Sequence, residues 1–200
     1  MARMMSTTES RERGLVVALS VADTVSMDTP LRALSPHDRD LVTRASMDTW
    51  GLCGVGVRRG EDWIGVVLIT PDHALPRGHP LSGAGLDPHT AGLALLHIDA
   101  TAPMGTSKRL CVGLTRRLRG AVTGVEAQSS LMPSTMSTLA PSRAWLTGVG
   151  FQPLRYPPNR YRLDFATLAT WIRKHLVWES RPAIAVSPRP APAGRAVHRG

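Results

Sequence analysis

One segment of the chain joins a strand-length apolar run to an amphipathic helix through a short loop. Residues 91–99 are mostly apolar, and the loop that follows contains Pro103, Gly105 and Ser107. Beyond it, leucines recur on one helical face, at Leu110, Leu114 and Leu118. The first backbone N–H groups of a helix lack intrahelical partners, and its dipole favours negative charge there. The segment therefore predicts a strand, an anion-binding turn and a core helix.

The composition indicates one globular domain. The chain has 200 residues, of which 42% are hydrophobic, enough for a core. No apolar run reaches the ~18 residues of a membrane span, and the N-terminus lacks a signal-sequence core, so we expect a soluble, cytoplasmic protein. Cys53 and Cys111 are the two cysteines, without disulfide or metal-ligand spacing. We expect both to be reduced and buried, and we expect no metal site.

The net charge of +9 is concentrated at the two ends of the chain. Residues 181–200 carry four arginines and no acid, and residues 1–13 carry three arginines against two glutamates. The part between them keeps a charge of +4, which is ordinary for a domain of this size. A nucleic-acid partner is therefore not expected, although the arginine tail leaves a basic, nucleic-acid-associated protein as a distant alternative.

The organisation along the chain predicts one domain at 13–180 between a disordered N-terminus at 1–12 and a disordered basic tail at 181–200. The Pro/Gly-rich stretch at 71–90 is expected to be a loop, either a binding loop or a disordered insertion. The predicted strands are 14–23, 53–58, 63–69, 91–99, 122–127 and a pair on either side of 157–159, and the predicted helices are 35–46, 106–119, 141–149 and 165–179. Residues 128–140 are expected to be loop.

The element order and three local motifs resemble the GNAT superfamily of acetyl-CoA-dependent N-acetyltransferases. The motifs are the strand–loop–helix at 91–118, the strand end at Val125-Glu-Ala127, and the helix-to-strand junction Trp145-Leu-Thr-Gly-Val-Gly-Phe151. Other stretches are similar, more loosely, to actinobacterial members of the family without a well-defined substrate. The resemblance covers about residues 14–180. It implies a single α/β (α+β) domain with a mixed, mostly antiparallel central sheet and helices on both faces.

The resemblance also implies acetyl-CoA as cosubstrate. In the family, backbone amides of a Gln/Arg-x-x-Gly-x-Gly/Ala loop hold the pyrophosphate of coenzyme A. The stretch Ala102-Pro-Met-Gly-Thr-Ser107 matches at Gly105, while Ala102 and Ser107 depart from the pattern. The pantetheine arm would run along splayed strand ends near 97–101 and 125–128. The expected cofactor-binding residues are Ile98, Ala100, Gly105, Thr106, Ser107, Lys108 and Arg109.

Catalysis in this family requires that the acceptor amine lose a proton and the leaving thiolate gain one. The candidates for the base are Glu126, Asp99 and His97, and the last two share one strand face because side chains alternate. The family's frequent general acid, a tyrosine, is replaced by Leu146. Its substitute would be Ser142, Ser137, water or bulk solvent.

Two functional hypotheses follow from the resemblance. The first is an acyltransferase that moves an acetyl group from acetyl-CoA to an amine of unknown identity, which would approach under the loops at 71–90 and 128–140. The second is a degenerate GNAT fold that serves as a non-catalytic CoA-binding or regulatory module. Trp171 and Trp178 are expected on the last helix, packed against the sheet or in a homodimer contact.

Overall fold

The structure is a computed structural model that describes residues 14–83, 85–131 and 137–170. The expectations for 1–12 and 181–200, and for Trp171 and Trp178, lie outside these residues. The described strands are β1 (Leu15–Leu19), β2 (Gly54–Arg59), β3 (Asp62–Thr70), β4 (Thr90–Ile98), β5 (Gly124–Gln128), β6 (Ser137–Thr138), β7 (Gln152–Pro153) and β8 (Arg160–Asp164). The helices are α1 (Val21–Val25), α2 (Asp28–Leu31), α3 (Pro36–Trp50), α4 (Thr106–Leu118) and α5 (Arg143–Gly148), and residues 165–170 are also helical.

The strands form one sheet in the order β1-β2-β3-β4-β5-β8-β7, and β6 pairs with β4 outside this path. All neighbouring strands run antiparallel except β4 and β5, which are parallel. This mixed, mostly antiparallel sheet with helices confirms the predicted fold class. The helix α4 supplies the crossover that a parallel pair requires.

Helices cover both faces of the sheet. On one face, α4, α5 and residues 165–170 pack over strand side chains such as Val57, Val67 and Val125. On the other face, α1, α2 and α3 cover a second cluster that contains Val66 and Leu68. The alternation of Val66, Val67 and Leu68 between the two clusters follows the two-residue period of a strand. The leucines predicted to face the core from α4 do so: Leu110, Leu114 and Leu118 are all buried.

The first predicted strand, 14–23, is too long. The strand ends at Leu19, and α1 begins directly after it. Ser20 is the N-cap: its side chain accepts a hydrogen bond from the Asp23 backbone, and the Asp23 carboxylate accepts one from Ser20 N at 2.8 Å. This reciprocal capping box starts a helix at Val21 and so ends the strand. Val21 and Ala22 themselves give no sequence signal for the end of a strand. The cap predicted at Ser35 is confirmed, and α3 continues past the expected end at Ser46 to Trp50.

The stretch 71–90 contains a 3-10 turn at Asp72–Ala74 and is tied to the sheet by buried side chains. His79 is 3% exposed; its Nδ1 accepts a hydrogen bond from Leu81 N at 3.1 Å, and its Nε2 lies 3.1 Å from Ala94 O. Because Nδ1 is an acceptor, Nε2 carries the proton and donates to Ala94. The described part of this stretch is therefore an ordered loop held by a neutral imidazole.

This loop anchor predicts a loss of stability in acid. Burial lowers the pKa of His79 below its usual 6.5, more than its hydrogen bond to Ala94 O raises it. Below pH 6.5 the unfolded chain binds a proton that the folded chain resists, so the free energy of unfolding falls as the pH falls. The slope from this group is at most ~1.4 kcal/mol per pH unit. Urea unfolding at pH 7.5, 6.5 and 5.5 measures how the free energy of unfolding changes with pH. His79→Gln should reduce this dependence on pH. An equal slope in both proteins would contradict the assignment.

Candidate functional site

The turn between β4 and α4 has the strand–loop–helix arrangement that the sequence predicts. Gly105 is the N-cap of α4 with φ 90° and ψ −5°, a left-handed conformation that favours glycine. It supplies no capping side chain, and a Cβ built on it would meet no atom within 4 Å. Gly105 thus supplies no side-chain cap to α4, and the place where its Cβ would lie is clear of other described residues.

The backbone amides at the start of α4 divide into two sets. Thr106 N donates to Pro103 O at 3.1 Å and Arg109 N donates to Gly105 O at 3.0 Å, so these two are already used within the chain. Helical geometry gives no intrahelical acceptor to the amides of Ser107 and Lys108. Two of the amides predicted to form the cradle over 105–109, those of Thr106 and Arg109, are therefore already bonded within the chain.

The side chains of the first turn have different partners. The Lys108 side chain is exposed on the surface of α4, whereas Arg109 Nη2 donates to Gly14 O at the start of β1 at 2.6 Å. Arg109, predicted to bind the cofactor, thus ties α4 to the sheet edge. Ser107 Oγ accepts a hydrogen bond from Trp145 Nε1 at 3.0 Å, which links α5 to the first turn of α4. Leu146, at the position where the family often has tyrosine, is fully buried.

His97 and Asp99 lie at the C-terminal end of β4 and line one cavity of about 480 Å³. The cavity lies between α2 and the ends of β3 and β4, with Thr29 and Trp63 among its walls. The expectation that both side chains face one side of the sheet agrees with this placement. His97 is 1% exposed, and its Nδ1 lies 2.8 Å from Ser137 Oγ.

Asp99 is held as a carboxylate at the mouth of this cavity. Hydrogen bonds from the hydroxyl and the backbone N–H of Thr101, both at 2.7 Å to Oδ1, lower the pKa of Asp99, and the positive charge of Arg59 lowers it further. An ionised carboxylate beside an imidazole stabilises the imidazolium that forms when the ring accepts a proton. Asp99 is accordingly better suited to supporting His97 than to accepting a proton itself.

Glu126 is placed away from this cavity, in a buried ion pair. Its Oε2 lies 3.3 Å from Arg160 Nη1, and both side chains are at most 4% exposed. Its Oε1 accepts hydrogen bonds from Thr90 Oγ1 at 3.2 Å and Asp87 N at 3.3 Å. Arg160 also donates to the carbonyls of Gly85 and Leu81. Sequence reasoning did not single out Arg160, whose partners are distant in the chain.

The parallel strands β4 and β5 pair only at their N-terminal ends. Thr90, Ala91 and Gly92 pair with 124–126, and beyond this point β5 pairs with β8 alone. The two strands therefore diverge along the edge that the resemblance assigns to the pantetheine arm. Farther along that edge, Leu96 and His97 pair with β6. Ile98 and Ala100, predicted to contact the cofactor, follow directly, Ile98 half-buried and Ala100 exposed.

Two general features of the described residues bear on the class of protein. Within 14–83, 85–131 and 137–170, no helix is both long and apolar enough to cross a membrane. Within the same residues, no three His, Cys, Asp or Glu side chains are grouped as metal ligands would be. Cys53 and Cys111 are both free and buried, as expected, and burial raises their pKa to about 11 and about 12.

No family model and no curated protein matches the chain. Among solved structures, the chain is similar to a GNAT-family protein from Desulfovibrio desulfuricans, with 16% sequence identity and a TM-score of 0.48. The match covers 76% of this chain and 99% of that one. At this identity and TM-score, the likeness does not indicate what the present chain binds.

Proposed function

We propose that this protein is an acyltransferase that moves an acetyl group from acetyl-CoA to an amine. The observation that carries the proposal is the arrangement of β4: it diverges from its parallel neighbour β5 and then leads, through the open left-handed turn at Gly105, into α4. The turn suits a pyrophosphate, since it offers backbone amides at the positive end of a helix dipole. The diverging strand edge suits the amide-containing pantetheine arm.

The acceptor amine is proposed to enter the cavity beside His97 and Asp99. Asp28, Glu61 and Asp62 also line this cavity, together with Arg59, and Asp28 and Glu61 form ion pairs with Arg39 and Arg58. Counted with Asp99, the lining carboxylates outnumber these arginines, so they favour an amine that arrives as a cation. His97 would accept the proton that the amine must lose, and the negative charge of Asp99 would stabilise the resulting imidazolium. Glu126 holds the 71–90 loop in this proposal and is not the base.

Release of free thiol from acetyl-CoA over a panel of amines tests the proposed reaction. We expect turnover with a cationic amine, and His97→Gln should reduce kcat/KM by ~100-fold or more because a general base is removed. His89→Gln is the matched control, since His89 is exposed on the 71–90 loop. Equal turnover by His97→Gln and the wild-type chain would exclude His97 as the base.

The second candidate function is a non-catalytic module that binds coenzyme A. Two observations favour it. At the position where the GNAT family often has a general-acid tyrosine, this chain has the fully buried aliphatic residue Leu146. At the first position of the family's pyrophosphate loop, usually Gln or Arg, it has Ala102. Such a module would bind coenzyme A and release no thiol with any amine. The same panel therefore distinguishes the two functions.

A further inference from the structure

We propose that the strand β6 is a built-in latch that closes the acyl-arm site of this protein. The inference rests on the proposed function, because it concerns the edge of β4 along which the pantetheine arm would run. β3 occupies one edge of β4, where Val67 and Val66 pair with Leu96 and His97. The pairing of β6 with the same two residues must therefore use the opposite edge, on the side of β5.

β6 occupies the edge of β4 that faces β5. Without β6, this edge would be exposed where β4 and β5 diverge. Beyond Gly92, β4 has no pairing with β5, and the register Leu96↔Thr138 and His97↔Ser137 fills part of the gap. A strand edge can satisfy one set of backbone partners at a time. The amides of a pantetheine arm and the backbone of residues 137–138 thus compete for one position.

Side-chain bonds fasten the latch at Ser137. Its hydroxyl donates to Pro30 O at 3.0 Å and lies 2.8 Å from His97 Nδ1, and the residue is 6% exposed. Thr138 closes a local turn, since its Oγ1 donates to Ala140 O at 2.9 Å and accepts from Ala140 N at 3.1 Å. These contacts connect the latch to α2 on one side and to the candidate base on the other.

Few of the described residues hold β6 on β4. Among them, β6 pairs with β4 at two positions, whereas β3 and β4 pair along most of their length. Displacement of β6 by the arm would also break the hydrogen bond between His97 Nδ1 and Ser137 Oγ. Binding of the acyl donor would thereby change the hydrogen bonding of the candidate base.

The test compares two ligands: coenzyme A, and 3′-phospho-ADP, which is coenzyme A without the pantetheine arm. In the wild-type chain we expect similar Kd values for the two, because the arm must displace β6. In Ser137→Ala, which loses the bonds to His97 and Pro30, we expect the Kd for coenzyme A to fall about tenfold while that for 3′-phospho-ADP is unchanged. Ser35→Ala is the matched control: the Ser35 hydroxyl caps α3 through its hydrogen bonds with Asp38, so its loss should change neither Kd.

Two results separate failure of the latch from failure of the proposed function. If 3′-phospho-ADP binds but Ser137→Ala leaves the Kd for coenzyme A unchanged, the latch is wrong and the nucleotide site stands. If neither ligand binds either protein, the proposed function itself is wrong.

Hydrogen exchange of the wild-type chain gives a measurement that does not depend on a variant. Saturating coenzyme A should speed exchange of the amides at 137–140, and 3′-phospho-ADP should not. Unchanged exchange with saturating coenzyme A would overturn the latch.

Discussion

Arg160→Leu is expected to lower the free energy of unfolding by ~3–5 kcal/mol, because it leaves the Glu126 carboxylate buried without its counter-ion. The arginine is 3% exposed and joins β8 to β5 through Glu126, and to the 71–90 loop through the carbonyls of Leu81 and Gly85. Its loss therefore removes the charge partner and two loop anchors together. Urea unfolding followed by tryptophan fluorescence measures the change.

Two further variants isolate the cause. Arg160→Leu combined with Glu126→Leu should recover a large part of the loss, because no buried charge remains. Arg162→Leu is the matched control on the same strand: its ion pair with Asp87 is 3.2 Å long but partly exposed, so we expect a loss of ~1 kcal/mol or less. Equal decreases in the free energy of unfolding for Arg160→Leu and Arg162→Leu would show that burial of the ion pair does not determine the cost of breaking it.

Gly105→Asp is expected to abolish most nucleotide binding, and Gly105→Asn, which strains the left-handed backbone to a similar degree, is the reference for its effect on folding. Asp and Asn both tolerate the left-handed backbone of Gly105 better than other side chains do, and free space surrounds the position. An aspartate there would place a negative charge next to the phosphate site. Repulsion between unit charges at ~4 Å is worth about 1 kcal/mol in water and about 4 kcal/mol near a protein surface, so binding should fall at least tenfold below that of Gly105→Asn.

The Asp/Asn pair separates charge from shape, since the two side chains have the same size. The same pair at Gly78, which has φ 82° and no atom within 4 Å of a built Cβ, controls for effects of a charged loop residue. Calorimetric titration with 3′-phospho-ADP measures all four variants. Equal affinities for Gly105→Asp and Gly105→Asn would contradict an anion site at this turn.

Local physics made part of the fold predictable from the sequence. The helical spacing of Leu110, Leu114 and Leu118 predicts the buried face of α4, and Ser35 followed by Pro36 predicts the start of α3. Ser20 followed by Asp23 is also a sequence signal for a helix start. It lies within an apolar run, and the run favours the interpretation of 14–23 as one strand.

The parts of the site that could not be predicted depend on contacts between residues far apart in the chain. Arg160 contacts Glu126, 34 residues away in the sequence, and Leu81, 79 residues away, and no local sequence pattern predicts either contact. The described part of β6 has two residues, too few to show alternation, and it pairs with β4 where the edge of that strand is open. The predicted roles of His97, Asp99 and the residues of the Gly105 turn remain predictions for the experiments above.

The central claim, that an acyl-CoA binds where β4 leads into α4, is tested most directly by urea unfolding of the full chain with and without coenzyme A. A ligand at ~100 times its Kd should raise the free energy of unfolding by ~2.7 kcal/mol, and the gain should grow with the logarithm of ligand concentration. Unchanged stability at millimolar coenzyme A would contradict both the acyltransferase and the CoA-binding module.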